Sequence, residues 1–405
     1  MYYAFSISYR VKKTIKNNSF NTQKAKKIMQ QSPDIGFMER AIELSEKGRL
    51  STPPNPWVGC VIVKNGEIVG EGFHTAYGKA HAEISALSLA KEKAEGATAF
   101  ITLEPCCHQG KTPPCVNALI KAKIAKVVVA LEDPDPKVKG NGFQRLREAG
   151  IQVSVGLCKS RVAHSLLPYL HHRKTKTPYC ILKAAISIDG RVAAANGSSQ
   201  WITNNLARSD AHCLRAKSQA IIIGSGTALM DQPTLTARYL PLSPSQQPLR
   251  VLLDSTGKTL GSLPLFDTAL APTLVITSEN SSIKYRNKLR EKGIEVEIAP
   301  LSNDGRGLHL PFILKLLGQR GVLQALIEGG PKLYASFLQM NLIDHLRIYM
   351  GACTLGSEGI PLFPGNSPES IENAKRWKLL EVKHLDESIR IDYIPIGEKS
   401  CSQVS

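Results

Sequence analysis

The spacing of hydrophobic residues predicts alternating helices and strands in the first half of the chain. Apolar side chains recur at helical spacing through residues 34–48, and Gly48 marks a stop. Two β-rich runs within residues 59–72 are joined by Asn65-Gly66, a pair typical of a tight hairpin turn. Further strands are predicted at residues 97–106, 126–136 and 151–156, and further helices at residues 80–96, 113–123 and 142–150. This alternation predicts a three-layer α/β domain with a partly parallel sheet.

The pattern starts again after a polar, basic run, "HHRKTKTP", at residues 171–178, which we interpret as a linker. Strand-like runs then follow at residues 179–190, 219–227, 249–255, 273–279, 294–299, 322–330 and 345–351, with helical segments between several of them. The sequence therefore predicts a second α/β domain. The predicted division is a basic leader at residues 1–33, a first domain at 34–176 and a second at 177–398.

Composition agrees with two ordinary globular cores. A chain of 405 residues, 42% hydrophobic and 21% charged, is long enough for two domains. No stretch approaches the roughly 18 consecutive apolar residues that a membrane span needs. The nine cysteines are too sparse for a disulfide scaffold, and their scatter favours reduced thiols and a cytoplasmic location.

The net charge of +17 raises the question of a nucleic-acid partner. Seven basic residues and no acid lie in residues 1–33, and the remaining surplus suits phosphorylated small molecules as well as nucleic acid. Since no basic and aromatic stripe or internal repeat is present, we expect small phosphorylated molecules, no nucleic acid and no membrane. The leader is compatible with a transit peptide for organelle import, a disordered tail or an overlong gene prediction, with Met29 or Met38 as alternative starts. A homo-oligomer is compatible with the sequence, which does not specify the number of copies.

Residues 105–115, "PCCHQGKTPPC", carry three cysteines and one histidine. Upstream, His81 and Glu83 lie two residues apart at the start of a predicted helix. A zinc deaminase needs three His/Cys ligands, an open position for water, and a carboxylate that does not ligate the metal. His81, Cys106 and Cys115 fit the ligands, and Glu83 fits the group that moves protons between water and the departing amine.

Other interpretations of the cysteine loop stay open at this point. A structural zinc would take a fourth ligand from Cys107 or His108. A redox pair prefers Cys-x-x-Cys, which is absent, and three unligated cysteines remain an alternative. Adjacent Cys106 and Cys107 cannot easily face one metal together, so we interpret Cys107 as a bystander.

The motifs "PNPWVGCVIV", "HAE", "LEPCCHQGKTPPC" and "EDPDP" together resemble the deaminase half of the bifunctional deaminase–reductase family of riboflavin biosynthesis. Eight residues separate Cys106 from Cys115, whereas the ordinary cytidine-type signature has two. The resemblance implies a cytidine-deaminase-like fold, zinc ligation by His81, Cys106 and Cys115, and proton transfer by Glu83. The residues that it implies for substrate binding are Asn55, His74, His108, Lys111 and Asp133, with Lys111 placed to meet a phosphate.

The second half, with "LKAAISIDGRVA", "SQWIT", "GSGTALMDQPTLTAR" and "IEGGPKLYASF", is similar to the reductase half of the same family, whose fold is like that of dihydrofolate reductase. Contacts to NADPH are implied for Ala185, Trp201, Thr227, Asp231, Ser255, Gly330, Pro331, Lys332, Leu333, Tyr334, Ala335 and Ser336. Contacts to substrate are implied for Lys183, Ser199, Arg215, Leu235, Arg238 and Glu328. Guanidinium groups at Arg215 and Arg238 suit a phosphate, while a structural salt bridge is equally open for Lys183.

The resemblance implies one chain that performs two consecutive steps. Zinc-dependent hydrolysis would deaminate 2,5-diamino-6-ribosylamino-4(3H)-pyrimidinone 5′-phosphate, and NADPH would then reduce the ribosyl group to a ribityl chain. The alternatives are a deaminase with a degenerate reductase domain and a deaminase of nucleic-acid bases.

Overall fold

The structure, a computed structural model, describes residues 33–259, 262–365 and 367–396. The predicted leader therefore lies outside the described residues, apart from Pro33. The chain divides into two compact units between Leu166 and Leu167. In the described part of the chain, no helix combines the length and the apolar character that crossing a membrane would require.

The first unit contains the helices and strands that the hydrophobic pattern predicts, and one further helix at its end that the pattern did not predict. Its helices are α1 (Pro33–Glu46), α2 (Ala82–Ala90), α3 (Cys115–Lys121), α4 (Asn141–Glu148) and α5 (Lys159–Ser165). Its strands are β1 (Gly59–Lys64), β2 (Glu67–Phe73), β3 (Thr98–Leu103), β4 (Lys126–Leu131) and β5 (Gln152–Val155). They form one sheet in the order β2-β1-β3-β4-β5, antiparallel from β2 to β3 and parallel from β3 to β5.

The sheet of the first unit is covered on both faces. On one face, alternate residues of β1, β3 and β4 pack against α2, α3 and α4 in a single buried cluster. On the other face, the Phe100 ring lies 5.3 Å from the ring of Phe37 on α1. Because both faces are covered there, the central strands β1, β3 and β4 are nearly uniform apolar runs. The predicted three-layer arrangement is confirmed.

Two glycines let α2 approach β2 closely. A Cβ at Gly72 would lie 2.3 Å from the Ala82 carbonyl oxygen, and one at Gly70 would lie 2.3 Å from the Ala86 carbonyl oxygen. Only glycine fits at such distances. The glycines therefore fix the height of α2 over the sheet, and with it the position of the helix start that carries His81.

The second unit is built on a nine-stranded sheet. Its helices are α6 (Leu167–Thr175), α7 (Asn205–Lys217), α8 (Ser225–Asp231), α9 (Ile283–Glu291), α10 (Leu310–Gln319) and α11 (Pro331–Gln339). The first strands are β6 (Tyr179–Ile186), β7 (Arg191–Ala193), β8 (Ala220–Gly224), β9 (Leu249–Leu253), β10 (Thr273–Thr277) and β11 (Glu295–Ile298). The others are β12 (Gln324–Ile327), β13 (His345–Met350), β14 (Ile360–Pro361), β15 (Trp377–Leu385) and β16 (Ser388–Pro395).

The large sheet runs β11-β10-β9-β8-β12-β6-β13-β16-β15. All neighbours from β11 to β13 are parallel, and β16 and β15 add an antiparallel edge. Two buried clusters, one on each face, form its core. The carboxyl ends of β6, β8, β9 and β12 lie at one edge of the sheet, the place where open α/β sheets bind ligands.

The run interpreted as a linker, residues 171–178, begins inside α6. His171 and His172 are buried, and His172 Nε2 lies 2.9 Å from the Gly318 carbonyl oxygen on α10. The compact second unit thus starts at Leu167, earlier than the boundary predicted between residues 176 and 177.

Candidate active sites

Three potential metal ligands converge in the first unit. His81 is the residue before α2, Cys115 is the first residue of α3, and Cys106 lies in the loop after β3. His81 Nδ1 is 3.2 Å from Cys115 Sγ and 3.5 Å from Cys106 Sγ. The ligand atoms of all three residues lie within 4.8 Å of one another. One His and two Cys at this spacing are a donor set that suits zinc with an open fourth position.

The surroundings favour thiolate at Cys106. The Cys115 thiol donates a hydrogen bond to Cys106 Sγ, and this bond is the main reason that the pKa of Cys106 lies below that of a free thiol. Burial acts in the opposite direction, and the hydrogen bond with His81 lowers the pKa further. The Cys115 backbone N–H also points at Cys106 Sγ, at 3.3 Å. A helix N-terminus that presents N–H groups stabilises negative charge, which is the state of cysteine that binds metal.

Glu83 lies in the first turn of α2 and is 3% exposed. Burial, and then the neighbouring Cys106, raises the pKa of its carboxyl to about 7. It does not belong to the ligand cluster. A buried carboxyl beside the ligands, able to hold or release a proton near neutrality, has the properties of a general acid–base group.

Cys107 points away from the cluster. Its Sγ faces the Lys137 carbonyl oxygen at 3.5 Å, and its own carbonyl accepts a hydrogen bond from Arg145 Nη1 at 2.6 Å. Neither Cys107 nor His108 joins the ligand group found among the described residues. The geometry thus offers three ligands rather than the four of a structural zinc site.

Asn55 and His74, two predicted substrate residues, lie beside the metal ligands. The His74 ring meets the His81 ring edge to face with centroids 5.0 Å apart, and Asn55 Nδ2 is 3.3 Å from His74 Nε2. His74 Nδ1 is 3.1 Å from the Ala80 carbonyl oxygen. Burial lowers the pKa of His74, so the imidazole is neutral at pH 7.

The other predicted residues of this site lie on the two loops that follow β3 and β4. Lys111 extends over the Tyr77 ring, with Nζ 4.1 Å from its centroid. Nδ1 of His108 is buried and has no hydrogen-bond partner among the described residues. Asp133 is buried after β4, and its Oδ1 accepts the Asp135 N–H at 2.9 Å. The structure does not show Lys111 or His108 in contact with the ligand cluster.

Glu104 is a residue of this site that sequence reasoning missed. It is buried two residues before Cys106, and its carboxylate accepts backbone N–H groups from the loop after β4 and the start of α4. The donors are Asp133, Gly140, Gly142 and Phe143, at 2.9 to 3.4 Å. Glu104 therefore ties the cysteine loop to the loop that carries Asp133. The sequence pattern that could have indicated Glu104 is an acidic residue directly after a buried apolar strand.

In the second unit, Glu328 is the centre of a charged cluster just after β12. Arg215 holds it with two bonds, Nε to Oε1 at 2.7 Å and Nη2 to Oε2 at 2.8 Å. Lys183 Nζ on β6 lies 3.9 Å from Oε2. Burial opposes ionisation of Glu328, but Arg215 and Lys183 outweigh it and hold its pKa at about 2. The fork of Arg215 is thus occupied by a carboxylate.

Arg238 and Leu235 lie on the segment after α8. The backbone N–H of Arg238 donates to His212 Nδ1 at 3.0 Å, and its guanidinium Nη2 is 3.2 Å from His212 Nε2. Burial and the nearby Arg215 and Arg238 lower the pKa of His212 to about 4, so the ring is neutral. His212, on α7, was not predicted, and a lone histidine in a helical pattern gives no sequence signal.

Most residues predicted to contact NADPH lie at the carboxyl ends of parallel strands. Ala185 is near the end of β6, Thr227 and Asp231 are on α8 after β8, and Ser255 follows β9. Gly330 through Ser336 form the cap and first turns of α11, after β12. A Cβ at Gly330 would lie 3.0 Å from Thr227 Oγ1. The main chain at Gly330 therefore lies close to the Thr227 side chain, which a larger residue at this position would have to displace.

Tyr334 connects α11 to the charged cluster, since its hydroxyl donates to the Lys183 carbonyl oxygen at 2.8 Å. Ser199 and Trp201 lie in the loop before α7. Trp201 is 66% exposed and stacks under Arg208, which bonds to Thr203 and Asn205. The structure therefore does not bring Trp201 into contact with the Glu328 cluster.

Two family models match the chain. Residues 178–391 match the RibD C-terminal domain, and residues 31–131 match the cytidine and deoxycytidylate deaminase zinc-binding region. Among curated proteins, the riboflavin biosynthesis protein RibD of Chlamydia trachomatis is 44% identical over 366 residues, covering 90% of this chain and 96% of that protein. RibD of Escherichia coli is 41% identical over 364 residues, covering 87% of this chain and 96% of that protein.

Solved structures agree with these relatives. A structure of Acinetobacter baumannii RibD superposes with a TM-score of 0.82 at 40% identity, covering 90% of this chain and 99% of that one. A Thermotoga maritima protein described as a diaminohydroxyphosphoribosylaminopyrimidine deaminase/5-amino-6-(5-phosphoribosylamino)uracil reductase superposes with a TM-score of 0.80 at 33% identity, with the same coverage.

Proposed function

The chain belongs to the RibD family of bifunctional riboflavin biosynthesis proteins, and from that membership we propose how its own residues divide the two reactions. It is a zinc-dependent deaminase and an NADPH-dependent reductase of riboflavin biosynthesis. The observation that carries the proposal for the first reaction is the His81, Cys106 and Cys115 cluster with buried Glu83 beside it.

The proposed substrate of the first step is 2,5-diamino-6-ribosylamino-4(3H)-pyrimidinone 5′-phosphate. A zinc ion held by His81, Cys106 and Cys115 supplies Lewis acidity, which makes water a competent nucleophile at neutral pH. Glu83 takes a proton from the attacking water and passes it to the adjacent ring nitrogen. It then carries the remaining hydroxyl proton to the exocyclic amino group, so that the bond between this nitrogen and the ring carbon breaks, ammonia leaves and a ring carbonyl forms. The reaction is a hydrolysis, so Glu83 ends each cycle in its starting protonation state.

Positioning of this substrate is assigned to the residues around the ligands. Neutral His74 and the Asn55 amide present donors and acceptors beside the metal cluster, as recognition of a pyrimidine edge requires. Asp133, held in place by Glu104, adds an acceptor. Lys111, together with His108, supplies positive or polar groups for the ribose phosphate.

The second step needs a hydride, which is two electrons with one proton, and one further proton. NADPH bound along Thr227, Ser255 and the start of α11 supplies a hydride. The ring-opened ribosylamine has a carbon–nitrogen double bond at its anomeric carbon, so the nitrogen gains a proton as the carbon is reduced. Lys183 is the proposed proton source, because burial lowers the pKa of its ammonium group and Glu328 lies 3.9 Å away. Asp231 stays a second candidate.

The two arginines of the reductase site are expected to behave differently. Arg238→Ala should raise the KM for the reductase substrate and leave NADPH affinity unchanged. The loss of binding free energy should be about 1.5–3 kcal/mol, as for a hydrogen bond to a charged group. Arg215→Ala should raise this KM and also lower kcat. It should in addition lower the free energy of unfolding by about 3–5 kcal/mol, because it leaves the buried Glu328 with Lys183 as its remaining cationic neighbour.

Steady-state kinetics, NADPH fluorescence titration and urea unfolding measure these quantities. Arg306→Ala, a change at an exposed arginine, is the matched control and should leave all of them unchanged. Loss of NADPH affinity with a normal substrate KM in both variants would mean that the two pockets are assigned the wrong way round.

The function itself is tested by supplying the diaminopyrimidine phosphate to the full chain with and without NADPH. Without NADPH we expect ammonia and the deaminated ribosylamino product, and with NADPH the ribityl product. A ribosylamino product in both arms would indicate a degenerate reductase. No ammonia release from zinc-loaded protein would contradict the deaminase assignment.

Separate cores predict separable activities. A fragment of residues 167–405 should fold and oxidise NADPH only with the deaminated substrate. A fragment that starts at residue 179, at the predicted domain boundary, loses the contact of His172 with Gly318. Its free energy of unfolding should therefore be lower by about 1–3 kcal/mol, and it should unfold at a lower urea concentration than the longer fragment. Failure of the longer fragment to fold would mean that the two units depend on each other.

Small phosphorylated pyrimidines are thus the proposed partners of both sites. A cytoplasmic location and a homo-oligomer stay predictions of the sequence. The suggested organelle import depends on the leader, which lies outside the described residues.

A further inference from the structure

The segment of residues 234–238 carries Leu235 and Arg238, both assigned to the reductase substrate, yet it has no regular secondary structure. Leu235 is 2% exposed and has a φ of 52°. A branched side chain in the left-handed region costs free energy, so the surrounding structure must impose this conformation.

Side chains from other elements bind the main chain of this segment. Arg250 Nη1 donates to the Thr234 carbonyl oxygen at 3.2 Å, and Arg215 Nη1 donates to the Thr236 carbonyl oxygen at 3.1 Å. The N–H of Ala237 donates to Gln247 Oε1 at 2.8 Å, and Gln247 Nε2 donates back to the Ala237 carbonyl oxygen at 3.1 Å. The N–H of Arg238 is bound by His212.

Arg250 is an unusual anchor. It is 0% exposed on β9, and its guanidinium also donates to the carbonyl oxygens of Asp267, at 2.8 Å, and Ala271, at 2.5 Å. Among the described residues no carboxylate lies within 4.0 Å of it. A buried cation whose hydrogen bonds all go to carbonyl oxygens is costly, and burial lowers the pKa of Arg250 to about 10 even though Asp267 opposes this. Its guanidinium thereby binds two separate loops, one of which contains Thr234, the first residue of the segment.

Compared with Arg250, Gln247 acts more specifically on this segment. Its amide makes both hydrogen bonds that a neighbouring strand would make to Ala237, which is adjacent to Arg238. It is partly exposed, in contrast to Arg250, so that its replacement is compatible with a folded chain. A change in its hydrogen bonding therefore acts mainly on the path of the backbone that leads to Arg238.

We propose that Gln247 and Arg250 are positioning residues of the reductase, which fix the main chain of residues 234–238 and thereby place Arg238 against the substrate phosphate. The inference rests on the proposed function, because it takes Arg238 as a substrate contact. Neither residue touches the substrate itself, and both act through the segment.

The decisive variant is Gln247→Glu in the full-length protein. It keeps the size and the acceptor of Gln247 but places an oxygen against the Ala237 carbonyl oxygen. We expect the KM for the phosphorylated substrate to rise about tenfold, as for a lost hydrogen bond with a carbonyl left unpaired. The value of kcat should stay within about threefold, because the reacting groups are untouched. The Kd for NADPH should not change.

A substrate that lacks the 5′-phosphate distinguishes a displaced Arg238 from a general effect on the reductase site. Wild type and Gln247→Glu should reduce it with equal KM, since Arg238 has no phosphate to hold. Arg250→Lys retains the cation but cannot span the same carbonyl groups. It should raise the KM in the same phosphate-dependent way and also lower the thermal midpoint, because Arg250 is buried and binds the carbonyl oxygens of Asp267 and Ala271 as well. Gln319→Glu, an identical change at an exposed residue at the end of α10, is the control. The deaminase activity of each preparation reports that the first unit is intact.

Three results would overturn the inference. The first is an unchanged KM in Gln247→Glu. The second is a rise in KM that is equal with and without the phosphate. The third is a joint change in KM, NADPH affinity and thermal midpoint in Gln247→Glu, which indicates a merely structural role. If wild type itself reduces neither substrate, the proposed function fails instead.

Discussion

Replacing Glu83 with glutamine should lower the rate of deamination by about 100- to 10,000-fold while zinc stays bound. Glutamine has nearly the same shape but cannot take a proton from water or return it to the departing amine. His81, Cys106 and Cys115 remain in place, so the metal content should not change. Ammonia release and zinc content, measured on the same preparation, test both parts of this expectation.

Two controls make the result specific to the site. Glu92→Gln makes the same change at an exposed glutamate just beyond α2 and should leave the rate unchanged. The reductase activity on the deaminated substrate should also be normal. If Glu83→Gln deaminates at the wild-type rate, Glu83 has no part in proton transfer. If it loses zinc, Glu83 supports the ligands rather than the chemistry.

Features that depend on neighbouring residues were predictable from the sequence. The hairpin at Asn65-Gly66 forms as expected, with φ values of 54° and 81° and with β1 and β2 paired on either side. The positions of His81 and Cys115 at helix starts also follow from local order, because polar and proline residues precede the apolar repeats. The sequence could thus predict the ligand cluster and much of the alternation of strands and helices.

Features that depend on distant residues were not predictable. Glu104 binds N–H groups between 29 and 39 residues further along the chain. Arg215 pairs with Glu328 across 113 residues, so a guanidinium predicted to hold phosphate proves to be held by a carboxylate. No periodicity encodes such pairs, since they form only when the sheet brings the two segments together. The strands β15 and β16 also lie beyond those predicted, and β15 is exposed along most of its length.

The interpretation of residues 171–178 as a linker shows a different limit. Histidine counts as a polar residue when only the composition is considered, but His171 and His172 are buried in α6. Burial lowers the pKa of His171 to about 4, so the side chain is neutral and packs its ring against Tyr179. A run that is basic in composition is therefore partly core in the folded chain.

Cys106→Ser and Cys115→Ser should each lose zinc and deamination together, whereas Cys107→Ser should retain both. Wild type should carry about one zinc per chain, as a single His/Cys/Cys site requires. A serine hydroxyl ionises far less readily than a thiol, so it cannot replace the anionic ligand that Cys106 provides. Metal analysis and ammonia release, measured after gel filtration, distinguish the three variants.

Cys107→Ser is the matched control because it makes the same exchange one residue away, at a side chain that faces the Lys137 carbonyl oxygen. All three variants should keep reductase activity, since that reaction uses residues of the second unit. Zinc lost from Cys107→Ser and retained in Cys106→Ser would reverse the ligand assignment. Zinc lost from all three would point to a four-ligand structural site, with no position open for the water that hydrolytic deamination consumes.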